Sequence, residues 1–369
     1  MSAGRVLMTA DAVGGVWTYA LDLARGLARE GVEILLVVLG PAPSPDQLAE
    51  ADAIPGLSLI ETLLPLDWTA AEPAEILEVG AAVRGLARGQ KVDLIHLNSP
   101  ALAAGGGFSA PVLGACHSCL ATWWSAVKDG PMPGDFRWRT QLLWEGLHAC
   151  DALIAPTRAF ARATGQAYEM PAPQVVWNGR EAAAGAPPAV REPIVLTAGR
   201  LWDEGKDVAT LDAAAGLCRA PVFAAGPRNG PNGARIELRR AWPLGRLPAR
   251  KMTAWLRRAA VYATSARYEP FGLGVLEAAQ AGCALVLSDI PTLRELWDGA
   301  AVFVQPRDAN GFAAAFDRLV ADDAEREALV AKAHARAARY SAARMSARTL
   351  DVYRRLQPRL ARAAREVAA

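Results

Sequence analysis

Residues 5–40 read RVLMTADAVGGVWTYALDLARGLAREGVEILLVVLG. RVLMTA is a short apolar strand that runs into a turn carrying Gly14 and Gly15. A helix follows, with Ala20, Leu21, Leu23, Ala24 and Leu27 recurring at helical spacing. VEILLVVLG is then a continuous apolar run, the pattern of a strand buried on both faces. Strand, glycine turn, helix and buried strand make a βαβ unit. Such a unit implies a parallel sheet with helices covering both faces.

The same alternation continues outward. KVDLIHLNS (91–99), PVLGACHS (111–118), DALIAPT (151–157) and QVVWNG (174–179) read as strands, and FRWRTQLLWEGLHAC (136–150) as an amphipathic helix. Between Gly179 and Pro193 the sequence GREAAAGAPPAVREP has no period and reads as a linker. A second alternating set begins after it with PIVLTAGR (193–200) and closes on two long helices rich in Ala and Arg. The fold class is therefore α/β, with two doubly wound Rossmann-like halves expected to face each other across a cleft. Strand C-terminal ends and helix N-termini would line that cleft.

Bulk properties exclude several functions. The chain has 369 residues, 52% of them hydrophobic and 21% charged, with a formal net charge of +2, as in an ordinary globular protein of two domains. Lys and Arg are dispersed rather than blocked, which argues against nucleic acid as a partner. The first apolar run breaks at Asp11, too early for a secretory signal, and no stretch nears ~20 uninterrupted apolar residues. A cytoplasmic location is the expectation. The five cysteines, at 116, 119, 150, 218 and 283, suit reduced thiols better than a disulfide framework. Cys116, His117 and Cys119 match neither a zinc site nor a haem attachment pattern, so the two cysteines read as small buried thiols.

ARYEPFGLGVLEAAQAG, residues 266–282, sets Glu269 and Glu277 on either side of a glycine-bearing turn. The apolar run from Leu273 reads as a buried helix opened by Gly272 and Gly274. Its first N–H groups lack intrahelical partners and carry roughly half a positive charge. That opening suits a phosphate, and Glu277, one to two turns in, can accept hydrogen bonds from hydroxyls. Upstream, TAGRLWDEGKD (197–207) places Arg200 and Lys206 at the end of a strand. Two cations and a helix opening together make a pocket for a diphosphate.

GRLWDEGKD followed by EPFGLGVLE resembles the retaining glycosyltransferases of family 4, which have the two-domain GT-B fold and a motif of two glutamates separated by seven residues. GGVWTYALDLARGLAREG looks like the family's first glycine loop and helix, VDLIHL like its strand ending in His, and VVWNG like the segment before its linker. SARTLDVYRRL is similar to its closing helix, which crosses back to the first domain. The implied layout is an acceptor-side domain at 1–183, a nucleotide-sugar domain at 184–345 and a returning helix at 346–369. The chain departs from the family pattern at Arg180 and Glu181, where an aliphatic residue and an aspartate are usual, and in the spacing of DEGKD.

The resemblance implies that Arg200 and Lys206 hold the diphosphate of a nucleotide sugar and that Glu277 accepts the ribose hydroxyls. It places Glu269 and the backbone of Phe271, Gly272 and Leu273 on the donor sugar and phosphates. Gly14 and Gly15 would let backbone approach the same phosphates or the acceptor. His117 would lie beside the transferred sugar. The expected donor is a nucleotide-activated hexose, with a uridine diphosphate sugar favoured. No cofactor is expected, and with no Asp-x-Asp pair in the sequence, no metal either. Trp17, Trp123 and Trp124 are candidates to stack on an acceptor, which could be a saccharide, a small aglycone or a lipid; in the last case FRWRTQLLWEGL could touch a membrane. Two rival readings stand beside this one. A non-catalytic module of the same fold would bind the sugar nucleotide without cleaving it. A nicotinamide oxidoreductase would need a G-x-G-x-x-G turn, which DAVGGVWTYA lacks.

Overall fold

The structure is a computed structural model that describes residues 4–182 and 191–360. Most of the expected linker, at 183–190, and the last nine residues of the expected returning helix lie outside the described residues. The chain divides into two compact units. Among the described residues the first comprises 4–125, 129–179 and 342–360, and the second 126–128, 180–182 and 191–341.

Seven strands build the first unit: β1 (Arg5–Asp11), β2 (Glu33–Leu39), β3 (Leu57–Glu61), β4 (Leu94–Leu97), β5 (Val112–Ala115), β6 (Ala152–Ala155) and β7 (Gln174–Val175). They form one parallel sheet in the order β3-β2-β1-β4-β5-β6-β7. The helices between them are α1 (Gly15–Arg29), α2 (Pro45–Asp52), α3 (Pro73–Gly89), α4 (Leu120–Val127), α5 (Gly134–Ala149) and α6 (Arg158–Ala167). The opening βαβ unit is as its sequence predicts. Val6 pairs with Ile34 and Met8 with Leu36, and Ala20, Leu21, Leu23, Ala24 and Leu27 of α1 are all buried.

The second unit repeats the plan with β8 (Glu192–Ala198), β9 (Val222–Ala225), β10 (Trp242–Gly245), β11 (Ala259–Thr264), β12 (Ala284–Ser288) and β13 (Val302–Val304), parallel in the order β10-β9-β8-β11-β12-β13. Its helices are α7 (Val208–Ala215), α8 (Ala249–Arg258), α9 (Leu273–Ala281), α10 (Pro291–Trp297), α11 (Ala309–Ala321) and α12 (Asp323–Ala337). β11 and β12 are buried along their whole length, as expected of central strands with helices on both faces.

The closing segment differs from expectation. Among the described residues three helices rather than two occupy it, because Asp322 interrupts the Ala- and Arg-rich run and caps α12 by accepting the Glu325 N–H. The third, α13 (Ala342–Leu356), belongs to the first unit, where Met345, Leu350, Val352 and Tyr353 share the core with α1. Gly26 permits this contact, since a Cβ there would lie 2.3 Å from Ser346 Oγ.

Both sheets reverse strand order beside their first strand, between β1 and β4 and between β8 and β11. The chain leaves the two strands at such a point in opposite directions and opens a crevice at their C-terminal ends. Each unit therefore has one place where ligands are expected.

Candidate active site

In the second unit the loops that follow β8 and β11 meet at the switch point. The strands lie in register, Val195 beside Val261 and Leu196 beside Tyr262. Their loops are stitched together through the backbone: Arg267 N–H and Tyr268 N–H both donate to the Gly205 carbonyl, at 2.8 and 3.0 Å. Ser265 Oγ donates to the Lys206 and Asp207 carbonyls, at 3.2 and 2.7 Å. With the loops fixed in this way, Lys206 Nζ reaches Glu269 Oε2 at 2.6 Å, and both side chains are mostly shielded, at 20% and 17% exposure. Thr292 Oγ1 holds the Glu269 carbonyl at 2.6 Å from the far side. Arg200, just past β8, donates from Nη2 to Asp203 Oδ2 at 3.0 Å. Its buried Nε has no hydrogen-bond partner among the described residues.

The turn between the two glutamates ends in Gly272, at φ 88°, a left-handed conformation that glycine adopts at little steric cost. Gly272 caps α9 without a side chain, and no acidic residue stands in the helix's first turn. The Val275 and Leu276 N–H groups donate to the Gly272 carbonyl, at 3.0 and 3.1 Å, and no side chain caps the helix start ahead of them, an arrangement that suits an anion. Phe271 is buried, with its ring edge-on against Tyr340. Leu273 is the first helical residue, and Glu277 follows a turn later, with its Oε1 3.4 Å from Arg180 Nε.

The first unit presents a similar opening at its own switch point. Gly14 caps α1 without a side-chain bond, Gly15 begins the helix, and its first turn contains no acid. Asn98, just beyond β4, donates from Nδ2 to the Thr9 carbonyl at 2.6 Å, and its Oδ1 lies 2.8 Å from His117 Nε2. The His117 ring also stands edge-on to Tyr19, with centroids 4.4 Å apart. Burial pushes the His117 pKa down to about 4, so the imidazole is neutral near pH 7. His96, fully buried and bonded through Nδ1 to Tyr353 OH at 2.6 Å, has its pKa pushed down to about 3 by burial and is a core residue.

The tryptophan candidates separate. Trp17 is 3% exposed within the core of the first unit, which corrects its expected part in acceptor binding: its position on α1 points into the sheet rather than away from it. Trp123 stacks on Phe136, and Trp124 packs edge-on against the same ring while its indole N–H donates to the Gly130 carbonyl at 3.0 Å. In α5, Leu142, Leu143, Gly146 and Leu147 are buried, so the apolar face of that helix is used within the protein.

Sequence reading passed over Asn98, Ser265 and Thr292. Each is a small polar residue just past a strand or at a helix start, and their partners are distant in sequence. Only the position of Asn98 directly after LIHL could have singled it out. Among the described residues no group of three or more His, Cys, Asp or Glu side chains could hold a metal ion, and no helix is long and apolar enough to cross a membrane.

Residues 13–183 match the model of Glycosyltransferase Family 4 and residues 192–322 that of Glycosyl transferases group 1. A D-inositol 3-phosphate glycosyltransferase of Xylanimonas cellulosilytica is 27% identical over 94% of this chain and 92% of its own. A phosphatidyl-myo-inositol mannosyltransferase of Mycolicibacterium smegmatis is 41% identical over a shorter stretch, 23% of this chain and 22% of its own. Among solved structures, sucrose-phosphate synthase from Thermosynechococcus elongatus superposes with a TM-score of 0.78 at 20% identity, over 96% of this chain and 99% of its own. Anabaena HepE, solved with UDP and glucose, gives 0.72 at 17% identity, over 96% of this chain and 100% of its own.

Proposed function

This chain belongs to glycosyltransferase family 4 and is a glycosyltransferase of the GT-B type, and we propose that it moves a hexosyl group from a nucleotide-diphosphate sugar to an acceptor hydroxyl with retention of configuration. The observation that carries this reading is the stitching of the β8 and β11 loops. It sets Lys206 against Glu269 beside an uncapped helix start, with Arg200 at the end of the adjoining strand.

In this reading Arg200, Lys206 and the N–H groups of α9 receive the diphosphate. Cleavage of the bond from sugar C1 to phosphate oxygen puts growing negative charge on the departing diphosphate and positive charge on the sugar. Preorganised cations stabilise that separated charge more than they stabilise the bound donor, which lowers the barrier. Glu269 serves the donor sugar and Glu277 the ribose. His117 and the Gly14–Gly15 turn of the first unit serve the transferred sugar and the acceptor. The acceptor attacks from the side of the leaving group and its proton passes to the phosphate, so no separate general base is required. Two cations and a helix opening supply the countercharge that a metal would otherwise provide, and we assign the reaction no metal and no cofactor. The UDP bound to HepE supports a uridine nucleotide, and the mannosyltransferase relative supports a hexose.

Incubation of the chain with UDP-, GDP- and ADP-hexoses tests the reading. Release of nucleoside diphosphate from one of them, with a product anomer matching the donor by NMR, is the expected result. Binding without any release would leave a non-catalytic module, and an inverted anomer would overturn retention.

A further inference from the structure

Arg180 stands at the start of the second unit, and two of its contacts converge on α9. Its Nε lies 3.4 Å from Glu277 Oε1, and its carbonyl accepts a hydrogen bond from Gln280 Nε2 at 3.1 Å. Glu277 and Gln280 are three residues apart and so share one helix face, gripping the side chain and the main chain of the same residue. A third contact, from Arg180 N–H to the Tyr340 carbonyl at 3.1 Å, fixes the backbone from the opposite direction. Arg180 and Glu277 are each 28% exposed, so their attraction is screened less than that of a surface pair.

The main-chain contacts could be made by any residue at this position. Only a cation adds the ion pair with Glu277; an uncharged residue here would leave the carboxylate without it. A glutamate side chain has three rotatable bonds, and a guanidinium 3.4 Å away, carried on a backbone held at both its N–H and its carbonyl, favours the rotamers that face it. A carboxylate has about four acceptor sites, so the contact with Arg180 by itself does not exhaust its capacity to accept from hydroxyls.

We propose that Arg180 is a positioning residue that orients the Glu277 side chain for the ribose hydroxyls, and that it governs nucleotide affinity rather than the chemical step. The proposal rests on the donor-site reading above.

The test is calorimetric titration of the full chain with UDP, GDP and ADP, and with the 2′,3′-dideoxy analogue of whichever binds. Arg180→Met should weaken binding of the natural diphosphate roughly 10-fold, the loss of one charge-assisted contact, while the dideoxy analogue binds both proteins equally. Arg180→Lys should recover most of the loss. In turnover assays Arg180→Met should raise the donor KM and leave kcat within twofold. Equal losses for the natural and dideoxy ligands, or no loss for either, would overturn the proposal while leaving the donor site standing. Failure of the wild-type chain to bind any of the three diphosphates would overturn the donor site itself and the proposal with it. Should Arg180→Met not fold, the equally uncharged Arg180→Gln takes its place: a loss confined to ligands with ribose hydroxyls supports the proposal, and a loss shared by the dideoxy analogue, or no loss for either, rejects it.

Discussion

Lys206 donates from Nζ to Glu269 Oε2 at 2.6 Å, so the cation assigned to the diphosphate and the carboxylate assigned to the sugar are each other's partner. Neither can be removed without leaving the other's charge poorly compensated in a mostly shielded place. Under the proposed roles, the pair would couple the two ends of the bond to be broken.

Arg200→Ala and Lys206→Ala should each fold and each lower kcat by roughly 100-fold, because both remove charge stabilisation that grows as the diphosphate departs. Circular dichroism establishes the folding and steady-state kinetics the loss. A kcat/KM near that of the wild type in both variants would eliminate this site.

Glu277→Ala should act mainly on donor KM and Glu269→Ala mainly on kcat, since the ribose is remote from the reacting carbon. Purely KM-type losses of equal size in both would contradict the division of labour. Activity should also survive EDTA. Its complete loss, restored by a divalent ion, would show that Arg200, Lys206 and the start of α9 do not suffice for the diphosphate.

A thermal-shift panel of nucleotide sugars and free diphosphates should single out one nucleotide. A ligand at 100 times its Kd stabilises the native state by about 2.7 kcal/mol, which raises the Tm of domains this size by several degrees. The shift should shrink in Glu277→Ala. A response to a nicotinamide dinucleotide alone would sink the transferase reading.

Acid should destabilise the fold before most carboxylates titrate. Burial holds His117 near pKa 4 and His96 near 3, both below the ordinary 6.5, so the unfolded chain takes up protons that the native state refuses. Stability is then fully present above about pH 7 and falls as pH drops, by roughly 2 kcal/mol per histidine on reaching pH 5. Urea midpoints measured at pH 7, 6 and 5 should decline accordingly, and the decline should be shallower in His117→Gln. Identical slopes in the two proteins would contradict the depressed His117 pKa.

The central strands were legible in the sequence because two-sided burial writes an unbroken apolar run, as in EILLVVL of β2 and ALVLS of β12. Edge strands carry no such mark. β3, LSLIE, is only partly buried, and β10, WPLG, leaves Trp242 64% exposed, so neither announces itself as a strand. The same limit applies at the candidate site. Residues clustered within one motif, such as Glu269, Gly272 and Glu277, could be read together. The Glu277 contact with Arg180 and the Asn98 contact with His117 depend on chain crossings that no local pattern records. Trp17 failed as a surface candidate because a ring at a helix start can face either way, and only the packing of α1 on its sheet decides.

The link from Thr9 through Asn98 to His117 also dictates where a proton resides. Asn98 gives its amide hydrogens to the Thr9 carbonyl, which forces its oxygen toward His117 and obliges Nε2 of the neutral ring to be the donor. A neutral imidazole carries one hydrogen, so Nδ1 is left with a bare lone pair. His117 in this tautomer can accept a hydrogen bond from a hydroxyl at Nδ1 but cannot release a proton from that atom. An acid role at Nδ1 is closed to it unless the Asn98 amide turns over, and that turn would set two carbonyl oxygens, those of Asn98 and Thr9, against each other.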